Sequence, residues 1–99
     1  MNGEKHQRRI QITDPQGLHM RPLQRFVQLA LQCPGDVTVA KGGQRVNGKS
    51  MLELLTLGAD EGTELLLEVS GDDAKGIIDA LAQLLLAPES GEEPETPTL

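Results

Sequence analysis

Three short stretches of the chain place apolar residues at every second position, and between them lie stretches whose apolar residues recur at helical spacing. That alternation restricts the fold to sheet layered with helix. Ile10 and Ile12 alternate with Arg9, Gln11 and Thr13, and Val37 and Val39 alternate with Asp36, Thr38 and Ala40. Leu65, Leu67 and Val69 do the same between Glu64 and Ser70, with Leu66 off pattern. Gly42-Gly43 between Lys41 and Gln44 fits a two-residue hairpin turn, because glycine accepts positive φ, and it predicts a fourth strand over Gln44 to Val46. Alternation leaves one face of such a sheet polar, which is the habit of an antiparallel sheet with helices on one side.

Leu23, Phe26, Val27, Ala30 and Leu31 form the apolar stripe of a helix over Met20 to Gln32, which Pro34-Gly35 ends. A second long helix is predicted from about Asp72 to Leu86, with Ala74, Ile77, Ile78, Leu81, Leu84 and Leu85 on one face and Asp72 and Asp73 near its positive pole. Between them, Ser50 to Leu57 opens with the capping-box pattern Ser-x-x-Glu (Ser50, Glu53) and stops before Gly58. The predicted order is β-α-β-β-α-β-α, an α+β fold with a four-stranded antiparallel sheet carrying three helices on one face.

A length of 99 residues allows one core and is too short for a two-domain enzyme or a full nucleotide-binding α/β sheet. Residues 1–87 form the expected domain. Pro88, Pro94, Pro97 and four glutamates make residues 88–99 an acidic, Pro-rich tail expected to be disordered. The net charge of −6 is unevenly spread: residues 1–49 carry +5, residues 50–87 carry −7 and the tail −4. Such polarity suits docking to an acidic partner, whereas the acidic half repels nucleic acid, and Phe26 as the sole aromatic offers no stacking platform. Cys33 is the only cysteine, which excludes an internal disulfide and fits the cytoplasm. No apolar run reaches the roughly 18 residues of a membrane span, and the polar Met1 to Arg9 predicts no secretory leader. His6, His19 and Cys33 lack the close spacing of a zinc site, and His6 lies in an N-terminus expected to fray, so no metal is expected.

The chemistry concentrates in Gly17-Leu18-His19-Met20-Arg21-Pro22-Leu23, where a turn (Asp14-Pro15-Gln16-Gly17) meets the first long helix. Proline is tolerated only in the first turn of a helix, where the NH it lacks has no partner to lose, so Pro22 places His19 at or just before the helix start. Helix amides and dipole favour an anion there, and Arg21 supplies a guanidinium suited to phosphate oxygens. A nucleophilic imidazole beside an anion site is the minimum equipment for a phosphohistidine. Spacing alone is more often met by a histidine that caps a helix in a structural or incidental role.

The run Gly17-Leu18-His19-Met20-Arg21-Pro22 resembles the phosphorylation motif of HPr, the histidine-containing phosphocarrier family of the bacterial phosphoenolpyruvate-dependent phosphotransferase system. A second HPr-like signature, Val46-Asn47-Gly48-Lys49-Ser50-Met51-Leu52, continues through Leu54-Leu55-Thr56-Leu57-Gly58-Ala59, with Ser50 lying 31 residues after His19. The resemblance covers residues 7–87 and implies an HPr-like open-faced sandwich in a cytoplasmic, monomeric carrier without a bound cofactor. It implies that His19 accepts phosphate on Nδ1 from phosphorylated enzyme I and passes it to a downstream EIIA-type acceptor, with Arg21 neutralising the phosphoryl oxygens. Ser50 matches the position that an HPr kinase/phosphorylase modifies in some bacteria. Met20 and Leu23 depart from the family, which usually has alanine at both places.

Met51, Leu52 and Leu55, with Leu54 and Leu57, are more apolar residues than one buried helix face needs, so some are expected at the surface. Together with Met20 and a rim of Arg21, Arg25 and Lys49 they make a candidate docking face for successive partners. Ser50 has a sufficient structural role as a cap, independent of any modification. Two other readings compete with the carrier. One is an HPr-like adaptor that binds partners without onward transfer. The other is a phosphate-binding loop, because Gly43 to Ser50 satisfies G-x-x-x-x-G-K-[ST]; it needs a parallel sheet covered on both faces, which three or four short strands do not supply.

Overall fold

Seven elements follow one another in the predicted order: β1 (Lys5–Gln11), α1 (Met20–Ala30), β2 (Val37–Lys41), β3 (Gln44–Asn47), α2 (Met51–Leu55), β4 (Glu64–Ser70) and α3 (Ala74–Leu86). The structure is a computed structural model that describes residues 5–86. The boundary expected at residue 87 and the tail expected over 88–99 lie outside the described residues. The strands lie in the order β1-β4-β2-β3, and each neighbouring pair is antiparallel. β4 is therefore central although it comes last, paired with β1 from Lys5↔Ser70 to Gln11↔Glu64 and with β2 from Val37↔Val69 to Ala40↔Leu66. Gly42 takes φ +58 in the β2–β3 turn, the left-handed value that a tight hairpin demands of its first central residue.

This register sets Ile10, Val37, Val39, Val46, Leu65, Leu67 and Val69 into one core with Leu23, Phe26 and Ala30 of α1, Leu54 of α2, and Ala74, Ile78, Leu81 and Leu85 of α3. α1 and α3 pack against each other, α3 lies on β1 and β4, and α2 touches α1 and β3. An open-faced sandwich results, with the other sheet face left largely polar.

Three details differ from the sequence reading. His6, expected in a frayed terminus, is paired opposite Val69 in β1, and Arg8 on the same strand forms an ion pair with Asp79 of α3. α1 ends at Ala30, because Gln32 and Cys33 donate to the carbonyls three residues back (Leu29 at 3.0 Å, Ala30 at 3.0 Å) and so tighten the last turn. That rotation leaves Leu31 61% exposed, outside the stripe, and buries Cys33 instead. α3 starts at Ala74, because Asp73 sits at φ +64, a conformation aspartate tolerates but a helix cannot contain.

Glu68 is the one buried charged residue among the described residues, 6% exposed at the centre of the open sheet face. Arg45 of β3 donates to its Oε1 at 2.6 Å, and the side-chain amide of Gln7 donates to Oε2 from β1. The Arg45 hydrogen bond holds the Glu68 carboxyl below its ordinary value, helped by Gln7 and opposed by desolvation. Because the folded value lies below the unfolded one, the contribution to stability is present above the usual carboxylate range and is lost as pH falls through the folded value. Urea midpoints followed from neutral pH into acid are expected to fall less steeply for Glu68→Gln than for the parent chain. Parallel curves would show that the Arg45–Glu68 pair carries no acid sensitivity.

Candidate functional site

His19 is the N-cap of α1, with extended backbone (φ −137, ψ 180), and its carbonyl accepts the first intrahelical bond from Leu23 N at 3.2 Å. Its imidazole makes no capping hydrogen bond to the helix, so the capping role that spacing alone permitted is not the one this side chain performs. Pro22 is the third helical residue, inside the first turn where its missing NH costs nothing. No acidic residue occupies that first turn, so the positive pole of α1 carries no anionic side chain of its own. The ring is partly open to solvent, its side chain 27% exposed. His19 Nε2 lies 3.5 Å from Oδ2 of Asp14, which leaves Nδ1 as the nitrogen that does not face this carboxylate.

The loop that delivers the histidine is fixed at both ends. Gly17 N donates to Asp14 O at 2.8 Å, and Leu18 N donates to Ala59 O at 2.9 Å. Gly17 has φ +69, and a Cβ there would stand 2.5 Å from the Ala59 carbonyl oxygen, so glycine is required by conformation and by space. This contact joins the His19 loop to the segment leaving α2.

Arg21, Met20 and Arg25 are all on the exposed side of α1, with Met20 53% exposed. In α2, Leu52 and Leu55 face solvent, 77% and 40% exposed, while Leu54 is buried and Met51 packs partly against the core. Ser50 is the N-cap of α2, and its Oγ accepts from Glu53 N at 3.2 Å. The predicted capping box is closed differently from expectation: Glu53 Oε1 accepts from Asn47 N at 2.9 Å, tying α2 to the end of β3. Lys49 donates its ammonium to the carbonyls of Cys33 (2.9 Å) and Gly35 (2.8 Å), clamping the exit of α1 to the entry of α2. That engagement, the five-residue α2 and the antiparallel sheet together contradict a nucleotide-phosphate loop at Gly43 to Ser50.

The sequence matches the family described as "PTS HPr component phosphorylation site" over residues 6–87, a span that includes both His19 and Ser50. The chain belongs to the HPr family. It is 40% identical over 91 residues to the phosphocarrier protein HPr of Streptomyces coelicolor, covering 91% of this chain and 97% of that one. The HPr of Buchnera aphidicola is 34% identical over 79 residues, covering 80% of this chain and 93% of its own. In three dimensions the chain resembles the crystal structure of HPr from Bacillus anthracis, with a TM-score of 0.76 and 32% identity, over 82% of this chain and 96% of that one. An HPr dimer from Thermoanaerobacter tengcongensis is also similar, at TM-score 0.63 and 37% identity over 76% of this chain and 86% of that one. The protein is therefore an HPr-type phosphocarrier of the phosphotransferase system.

In the sequence Asp14 shows only a turn role, and Glu68 shows none. Asp14 lies five residues before His19 at the head of a turn ending in glycine, a pattern that signals its bond to the turn backbone but not the approach of its second oxygen to the histidine. Among the described residues no three His, Cys, Asp or Glu side chains gather as a metal site, and no helix is long and apolar enough to cross a membrane.

Proposed function

We propose that this HPr accepts a phosphoryl group on Nδ1 of His19 from phosphorylated enzyme I and hands it to a downstream EIIA-type acceptor. The observation that carries this reading is the partly exposed His19 ring at the opening of α1, unused as a cap and presenting Asp14 to Nε2. In the step, the Nδ1 lone pair of His19 attacks phosphorus as the phosphorus–nitrogen bond to the donor's histidine breaks, and the donor ring leaves with that electron pair. The new phosphoryl oxygens lie against the amide end of α1, where the Arg21 guanidinium neutralises charge. Onward transfer runs the same exchange in reverse, with His19 as the leaving group. The chain holds a labile phosphate between two enzymes in the cytoplasm, acts as a monomer and needs no cofactor.

Met20, Leu52 and Leu55 form the apolar part of the proposed docking face, with Met51 beneath it and Arg21 and Arg25 supplying its charge. Lys49, held by two carbonyls, shapes this face rather than extending from it. Ser50 is a second, regulatory phosphorylation site for an HPr kinase/phosphorylase. A phosphate there would displace the Ser50–Glu53 cap and set negative charge beside the Glu53 carboxylate. Its sign is an acid-stable phosphate that depends on that kinase.

Incubation with enzyme I, magnesium and phosphoenolpyruvate is expected to add an acid-labile, base-stable phosphate that disappears when an EIIA-type acceptor is supplied. Uptake without discharge to any acceptor would favour the adaptor, and no uptake would overturn the carrier reading.

A further inference from the structure

Asp14 is held through both its side chain and its backbone. Its backbone carbonyl accepts from Gly17 N at 2.8 Å and its Oδ1 accepts from Gln16 N at 2.9 Å, so the side chain cannot swing without losing the Gln16 bond. Its side chain is only 11% exposed, and the second oxygen, Oδ2, is directed at His19 Nε2 from 3.5 Å. The nitrogen that carries the proton in a neutral imidazole is chosen by the hydrogen bond the ring makes. A carboxylate can only accept, so it selects the ring with its proton on Nε2 and its lone pair on Nδ1. A separation of 3.5 Å is long for a finished hydrogen bond, and such contacts commonly shorten when the reacting group arrives.

We infer that Asp14 is a positioning residue that keeps the His19 proton on Nε2 throughout the transfer cycle. The inference rests on the carrier reading of His19 and extends it. Attack through Nδ1 produces a ring that bears the phosphoryl group on one nitrogen and the original proton on the other, formally an imidazolium. On discharge the phosphorus–Nδ1 bond breaks, its electron pair stays on Nδ1, and the ring departs as neutral imidazole because Nε2 has kept its proton. Were that proton lost between the two steps, the departing group would be an imidazolate, a far poorer one. Asp14 thus orients the nucleophile in one direction and preserves the leaving group in the other, without itself gaining or losing a proton.

The ring nitrogens report this directly. With the full-length chain labelled in nitrogen-15 and held above about pH 8, where an imidazole is neutral, the His19 shifts are expected to show mainly the Nε2–H tautomer. In Asp14→Asn the amide oxygen can keep the Gln16 N–H while its NH2 faces Nε2, so the population should reverse toward Nδ1–H. Phosphate acceptance from enzyme I should then slow by about tenfold or more in kcat with little change in KM. Asp14→Ala, which offers Nε2 nothing, should give a mixed population and an intermediate rate. A parent chain found mainly as Nδ1–H overturns the inference, as does a tautomer reversal that leaves kcat unchanged. If the parent takes up no phosphate, the carrier reading fails while the tautomer still reports what Asp14 does. If it takes up phosphate but neither variant moves the tautomer, only the role given to Asp14 fails.

Discussion

Replacing His19 with alanine is expected to reduce enzyme I-dependent uptake of acid-labile phosphate to background while leaving the fold intact. The side chain makes no cap bond, and its polar neighbour Asp14 is fixed independently by Gln16 N, so its removal costs stability less than about 1 kcal/mol. The other histidine supplies the control. His6 sits in β1 opposite Val69, far in sequence from the α1 junction, and His6→Ala should keep full uptake. Phosphate on His19→Ala of the same acid lability would place the acceptor elsewhere.

The second large effect falls on stability. Phe26 is the only aromatic residue of the chain and is completely buried at the centre of α1, between Leu23 and Ala30 on the face that meets the sheet. Phe26→Ala removes most of a large side chain where the surrounding leucines and valines belong to rigid elements, a change that costs about 3–5 kcal/mol. A domain of this size holds only about 5–10 kcal/mol in total, so thermal unfolding should move down by more than roughly 15 °C. Uptake of phosphate should decline with the folded fraction, because α1 is also the element that presents His19. A loss below about 1 kcal/mol would mean that α1 collapses onto the void.

What the sequence made legible was whatever leaves a local mark. Ile10, Val37, Val39, Leu65, Leu67 and Val69 alternate because one face of each strand meets the helices, and this alone gave three strands and the antiparallel class. The beginning of β1 escaped, since Lys5, His6, Gln7 and Arg8 show no alternation; they are in the sheet because β4 offers seven residues to pair with, and because Arg8 meets Asp79 across the sandwich. The burial of Glu68 escaped for a related reason: β4 lies between β1 and β2, and the strand order that covers it is set by pairings distant in sequence. Leu31 was assigned to the core by periodicity, which continues through a turn that the backbone tightens.

The site divides in the same way. Pro22 announces the first turn of α1, so His19 and Arg21 could be placed at its opening from the sequence alone, and Ser50 with Glu53 marked the start of α2. The destination of the Lys49 ammonium, two carbonyls at the end of α1, depends on how α1 and α2 approach and left no pattern to read. Asp14 is the instructive case. Its backbone role in the turn was visible, while its side-chain role depends on a chain reversal that returns Oδ2 to the His19 ring.

Phosphorus–nitrogen coupling measured by NMR on the full-length, nitrogen-15-labelled chain after phosphorylation by enzyme I identifies the atom that carries the phosphate. A single phosphoramidate signal coupled to Nδ1 of His19 is expected, with the ring proton still on Nε2. Phosphorus coupled to Nε2, or bonded to any residue other than His19, would contradict it.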